Sequence, residues 1–203
     1  MKNNKDTKYT EEEIKEATKY AKRDMIMEYG PYIIIILFII LIRTFIATPV
    51  RVNGSSMFPT LHDKDTMILY KLTKKFKGIN RFDIVVVKTD SGRLIKRVIG
   101  LPGETVKYEI VEEDGITTGV LYVDGKVVKE EFIDMATKAK TCYSNSNICS
   151  EDGIKIPDGE YFVMGDNRGD SKDSRLIGPV TFDNILGTSN IIIFPFSRIG
   201  KAE

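Results

Sequence analysis

With 203 residues, 42% of them hydrophobic, the chain is long enough for one ordinary domain besides a membrane segment. Its 30 Lys and Arg against 29 Asp and Glu leave a net charge of +1, so no field of one sign draws in a polyanion and nucleic acid is not the leading partner. A single histidine argues against a multi-histidine metal site or a Ser-His-Asp triad, and Cys142 and Cys149 fit neither a CxxC redox pair nor a four-ligand zinc set.

The first segment, residues 1–28, is polar. Thr10-Glu11-Glu12-Glu13 has the S/T-x-x-E form of a capping box, with Lys19, Lys22 and Arg23 following, and a charged, solvated helical tail is expected. Its apolar positions Ile14, Ala17, Ala21 and Met25 make only a thin stripe. An unbroken apolar run from Ile33 to Ile42 comes next, and residues 29–47 reach the roughly 20 needed to span a bilayer. Pro31 is expected in the first turn of this span, Pro49 beyond its end, and Arg43 near the far interface, where its side chain snorkels. A cleavable leader fits less well. A cut after Ala47 puts Phe45, and a cut after Thr48 puts Ile46, where a small residue is wanted, with Pro49 beside both. The segment is expected to be a permanent, single-pass plasma-membrane anchor. Lys15, Lys19, Lys22 and Arg23 precede it while only Arg51 and Lys64 follow closely, which puts the N-terminus in the cytoplasm and residues 48–203 outside. Cys142 and Cys149 form either a local disulfide, which would persist in that compartment, or two free thiols.

Beyond the anchor, short β-branched and aromatic runs predict strands at 66–69, 83–87, 95–99, 106–111, 121–123, 160–164 and 190–194. Asp124-Gly125 and Asp158-Gly159 mark turns between some of them. No amphipathic helix alternates with these strands, so the expected fold is mainly β: an antiparallel, barrel-like domain with a small β insertion at about 105–155, preceded by one transmembrane helix.

Three segments carry chemistry. Asn53-Gly54-Ser55-Ser56-Met57-Phe58-Pro59-Thr60-Leu61 is a turn that presents hydroxyls, with Met57, Phe58 and Leu61 read as apolar residues facing substrate or membrane. His62 just after it reads as an exposed loop residue. Leu94 to Glu104 is a strand entering a Pro-Gly turn, and period-two alternation gives Lys96 the apolar neighbours Leu94 and Val98 on its own face. A partly buried lysine has its pKa lowered, as a base near neutral pH requires. Gly165 to Arg175 offers three aspartates, two arginines and two hydroxyls but almost nothing for a core, so it reads as a polar scaffold around a site; Asp166, Asp170 and Asp173 lack the register of a calcium loop.

Taken in order, these blocks resemble bacterial type I signal peptidases of the short, single-anchor form. The resemblance runs from Arg43-Thr44-Phe45 and Pro49 through Gly54-Ser55-Ser56-Met57-Phe58-Pro59-Thr60-Leu61, Arg81 to Val87, Ile95 to Glu104 and Gly165 to Arg175, to Pro195-Phe196-Ser197-Arg198-Ile199-Gly200. It implies a Ser-Lys dyad serine endopeptidase that removes signal peptides from exported precursors with small residues at the first and third positions before the cut. Ser56 matches the family nucleophile, Lys96 the base, Asp173 and Arg175 a supporting salt bridge, and Ser171 a hydroxyl that orients the lysine. No metal or cofactor is implied. Secretory preproteins and membrane lipid are the expected partners, and a monomer is expected. Two positions depart from the pattern: Gly54 stands where some members have a serine that assists the oxyanion hole, leaving the Ser56 N–H with Ser55 or a water, and Phe82 stands where a glycine is common. The rival readings are another Ser-Lys protease with one dedicated substrate, and an anchored β module in which Ser56 is only a turn residue.

Overall fold

The computed structural model describes residues 9–142 and 147–202. The chain divides into two compact units, one ending at Thr44 and the other beginning at Phe45. In the first, helix α1 (Glu11–Leu41) starts with the expected capping box: Glu13 N donates to Thr10 Oγ1 at 3.4 Å, and Thr10 N donates to Glu13 Oε2 at 2.9 Å. Charged tail and apolar segment are one helix, so Pro31 lies in a helix interior rather than in a first turn. With a π-helical stretch, Ile42–Ile46, the helical segment is long and apolar enough to cross a membrane. Ala47, expected as the last residue of the span, already belongs to a strand, because Pro49 cannot continue a helix and biases the residue before it to extended backbone.

The second unit contains β1 (Ala47–Arg51), β2 (Thr66–Tyr70), α2 (Thr73–Phe76), β3 (Ile84–Thr89), β4 (Gly92–Gly100), β5 (Thr105–Glu113), β6 (Ile116–Val123), β7 (Lys126–Val128), α3 (Met135–Ala139), β8 (Ile154–Lys155), β9 (Glu160–Met164), α4 (Ser174–Ile177), β10 (Val180–Thr181), β11 (Ile185–Thr188), β12 (Ile191–Phe194) and β13 (Gly200–Lys201). A nine-stranded sheet runs β10-β9-β4-β3-β11-β2-β12-β13 with β1 paired to β2, and a four-stranded sheet runs β7-β6-β5-β8. Every pairing is antiparallel. The smaller sheet falls within the stretch where the sequence places an insertion. Its β6–β7 turn places Asp124 and Gly125 at φ of +47° and +75°, the conformation that Asp-Gly pairs favour in two-residue hairpins.

The central strand β3 explains why its sequence is apolar without alternation. Ile84 and Val86 enter one core cluster and Val85 and Val87 another, so both faces are covered. A third cluster joins Ile99, Phe162 and Met164 of the large sheet to Val106, Tyr108, Leu121 and Val123 of the small one. Gly100 lies at that junction. A Cβ there would stand 2.2 Å from Ile156 Cδ1 and 2.7 Å from Val106 Cγ1, so only glycine lets the two sheets approach. Cys142 and Cys149 are joined by a disulfide at the edge of this cluster.

Candidate active site

A turn and a strand meet at Ser56 and Lys96. Lys96 lies mid-way along β4, whose hydrogen-bonded neighbours β3 and β9 fix its register at Val85↔Lys96 and Arg97↔Met164. Ser56 follows β1 in a turn whose backbone is held as Gly54 N donates to Asp63 Oδ1 at 2.9 Å, Phe58 N to Ser55 O at 3.0 Å, Asn167 N to Ser56 O at 3.1 Å and Asn167 Nδ2 to Ser55 O at 3.3 Å. Lys96 Nζ donates to Ser56 Oγ at 2.6 Å. Only 2% of the Lys96 surface is exposed, and this burial pulls its pKa down to about 8 against the pull of Asp173 and Asp166, which favour the ammonium. A cleft of about 410 Å³ opens beside the pair between β1 and β4. A larger cavity, about 760 Å³, is lined by Arg81, Arg97 and Phe132 and includes neither Ser56 nor Lys96.

The polar loop after β9 supports the pair from behind. Gly165 is pressed against it: a Cβ would stand 2.2 Å from Ser171 Oγ and 2.4 Å from Ser56 O. Asp173 takes a bidentate ion pair from Arg175, Nε at 2.8 Å and Nη2 at 2.7 Å, and also accepts from Gly165 N and Ser171 Oγ. Burial alone would raise the Asp173 carboxyl, yet these donors, Arg175 foremost, hold it below the usual range. The Ser171 hydroxyl, expected to orient the lysine, donates instead to Asp173 at 2.7 Å, and among the described residues no hydrogen bond joins it to Lys96. Ser55 is likewise engaged, donating to Asp170 Oδ2 at 2.7 Å, which removes its proton from the candidate oxyanion donors. Among the described residues the Ser56 N–H has no intramolecular acceptor.

One expectation needs correction. Leu61 is fully buried and Met57 is 1% exposed; both belong to the core under β1 and β2, because the turn folds them inward and Leu61 N bonds Met57 O at 2.8 Å. Met57 borders the cleft, so it stays within reach of a substrate, but Leu61 faces neither substrate nor membrane. Phe58 is exposed, its ring 5.3 Å from that of His62, which is itself an exposed loop residue. The apolar surface is made instead with Phe194, Phe196 and Ile199, on the turn that Arg198 ties to the Thr60 carbonyl at 3.0 Å. Gly54 stands at φ +89°, a backbone conformation that strains any residue with a Cβ. Gly54→Ser is expected to lose about 1–3 kcal/mol to strain and to lower turnover; unfolding and cleavage assays that match the parent would refute this.

Sequence reasoning missed two features. Phe82 adopts φ +69°, which explains why a glycine suits that position; here its ring packs edge-on against Phe132 at 5.1 Å and its carbonyl accepts from Arg97 Nη1. The second is a buried network in which Arg168 pairs with Glu130, Glu130 accepts from Tyr108 OH at 2.8 Å, and Arg168 Nε donates to Gly165 O at 3.1 Å. Glu130 and Tyr108 stand far from Arg168 in sequence, so no local pattern announces them.

The model of the family described as signal peptidase, peptidase S26, matches residues 26–194. A signal peptidase I of Bacillus amyloliquefaciens is 37% identical over 191 residues, which are 93% of this chain and 98% of the relative. Signal peptidase I T of Bacillus subtilis (strain 168) is 37% identical over 192 residues, 93% of this chain and 95% of the relative. A solved signal peptidase I from Enterococcus faecalis V583 is 32% identical, with a TM-score of 0.39, and the match covers 54% of this chain and 95% of that one.

Proposed function

Since the chain belongs to the signal peptidase family, peptidase S26, we propose that it is a membrane-anchored signal peptidase I, a serine endopeptidase in which Ser56 is the nucleophile and Lys96 the general base. The observation that carries this reading is the 2.6 Å contact between a serine hydroxyl and a buried lysine whose pKa is lowered to about 8. Once neutral, the amine turns its lone pair to Ser56 Oγ and takes the hydroxyl proton as oxygen attacks the scissile carbonyl. The resulting ammonium gives that proton to the leaving amine, and the same nitrogen then deprotonates the water that hydrolyses the acyl-enzyme. Negative charge on the carbonyl oxygen develops where the unoccupied Ser56 N–H is available to receive it. Asp173, Arg175 and Ser171 act through the loop that packs on Ser56, and Ser55 through Asp170.

The precursor has an edge to bind. Lys71 N donates to Ile46 O and Val52 N to Asp65 O, so alternate backbone groups of β1 face β2 and those of Arg51 and Asn53 face outward, toward an added extended chain. The helical segment anchors the enzyme as a single pass in the plasma membrane, with its N-terminus cytoplasmic and the β unit outside, working as a monomer beside lipid that Phe58, Phe194 and Phe196 contact.

In the decisive experiment a model precursor is cleaved after a small residue by the parent and not by folded Ser56→Ala, and protease added to intact protoplasts degrades the chain beyond about Pro49. Cleavage by Ser56→Ala removes the proposed chemistry, and a protected β unit removes the proposed orientation.

A further inference from the structure

Resting on the peptidase reading, we propose that Arg51 and Arg93 select precursors carrying an acidic side chain close to the scissile bond. The cleft beside Ser56 has three charged residues in its lining, Arg51, Arg93 and Lys96, and no carboxylate. Lys96 must be neutral for attack, so in the reactive state the charge remaining in the lining is that of the two arginines. Of the carboxylates that act on Lys96, Asp173 is paired with Arg175 and Asp166 with Arg97, while Asp170 accepts from the neutral Ser55 hydroxyl and does not line the cleft.

Arg51 occupies the outward edge to which an extended chain adds. It is exposed between Val50 and Val52, whose side chains enter the core. Arg93 lies three positions before Lys96 on β4, about 10 Å along an extended strand, and is also exposed. Neither guanidinium has a hydrogen bond or ion pair among the described residues. A guanidinium presents a planar fork that fits a carboxylate in two parallel hydrogen bonds, and a free one beside a bound peptide favours Asp or Glu over Lys. Small residues are needed at the first and third positions before the cut, so the acid occupies another position in the cleft.

The test uses the full-length enzyme in nonionic micelles and one precursor in which each position flanking the cut carries Glu, Gln or Lys in turn. At one position kcat/KM for Glu should exceed that for Lys by about ten-fold at low ionic strength, and the ratio should shrink as salt is raised. Arg51→Gln combined with Arg93→Gln should bring the ratio to about one, the two Arg→Glu changes should invert it, and the two Arg→Lys changes should keep its sign. Equal rates for Glu, Gln and Lys at every position, with cleavage still abolished by Ser56→Ala, would overturn the proposal and leave the peptidase reading standing. Discrimination that arises only when anionic vesicles replace the micelles would also overturn it, assigning the arginines to lipid. A parent enzyme that cleaves none of these precursors would remove both.

Discussion

Lys96→Arg and Lys96→Met should abolish precursor cleavage, and Lys96→Met should be at least as stable as the parent at pH 7. The two expectations share one cause. Burial lowers the Lys96 pKa to about 8 from an ordinary 10.5, so at neutral pH the folded state carries a desolvated ammonium that the unfolded chain holds in water. Worked through in sign, that penalty is full below the folded value of about 8 and disappears as pH rises through 10.5, where the unfolded chain also loses its proton. Methionine fills similar space with no charge to desolvate, whereas arginine keeps its charge at every pH the protein survives. Cleavage by the parent should rise with pH and level off above about 8, because only the neutral amine accepts the Ser56 proton. Turnover by either folded variant, or a parental rate flat between pH 6 and 9, would sink the Ser-Lys mechanism. Urea unfolding at pH 7 that shows Lys96→Met well below the parent would sink the account of the pKa.

The parts of this molecule that were legible in its sequence are those whose cause is local. The capping box at Thr10 and Glu13, the β-branched runs of β3 and β4, and the Asp124-Gly125 turn each follow from residues within one turn or one strand. Strands β8, β10 and β13 have two residues each, too few to show alternation, and β1 carries Pro49, which disguises it as a linker. Leu61 was misplaced because an apolar residue in a turn beside an anchor reads equally well as membrane contact or as core. The Ser56–Lys96 pairing joins residues forty apart and was accessible only through the family resemblance. Composition contributed one constraint that pointed the same way: with a single histidine, the base had to be sought elsewhere.

Removing either partner of the Glu130–Arg168 pair should be the most damaging change outside the dyad. Both side chains are almost fully buried, and Arg168 also reaches Thr141 Oγ1 at 3.1 Å and Gly165 O at 3.1 Å. Breaking such a pair leaves an uncompensated charge in the interior, so Glu130→Ala and Arg168→Ala are each expected to lose about 3–5 kcal/mol, seen as a fall in the urea midpoint. Stability and catalysis should then separate in the double variant Glu130→Leu with Arg168→Met. Two apolar side chains of similar size carry no charge to desolvate and should recover part of the lost stability, less what the buried hydroxyls of Tyr108 and Thr141 lose with their partners. They cannot replace the donor to Gly165 O, and Gly165 begins the loop whose Asn167 N–H holds the Ser56 carbonyl. The nucleophile then loses a fixed approach to Lys96, and a small misplacement at this distance is costly. The double variant is therefore expected to fold and to bind precursor with a near-parental KM while kcat falls about ten- to a hundred-fold. Parental kcat in a stable double variant would mean that the small sheet contributes only folding energy, and that Ser56 is held in place by the turn after β1 alone.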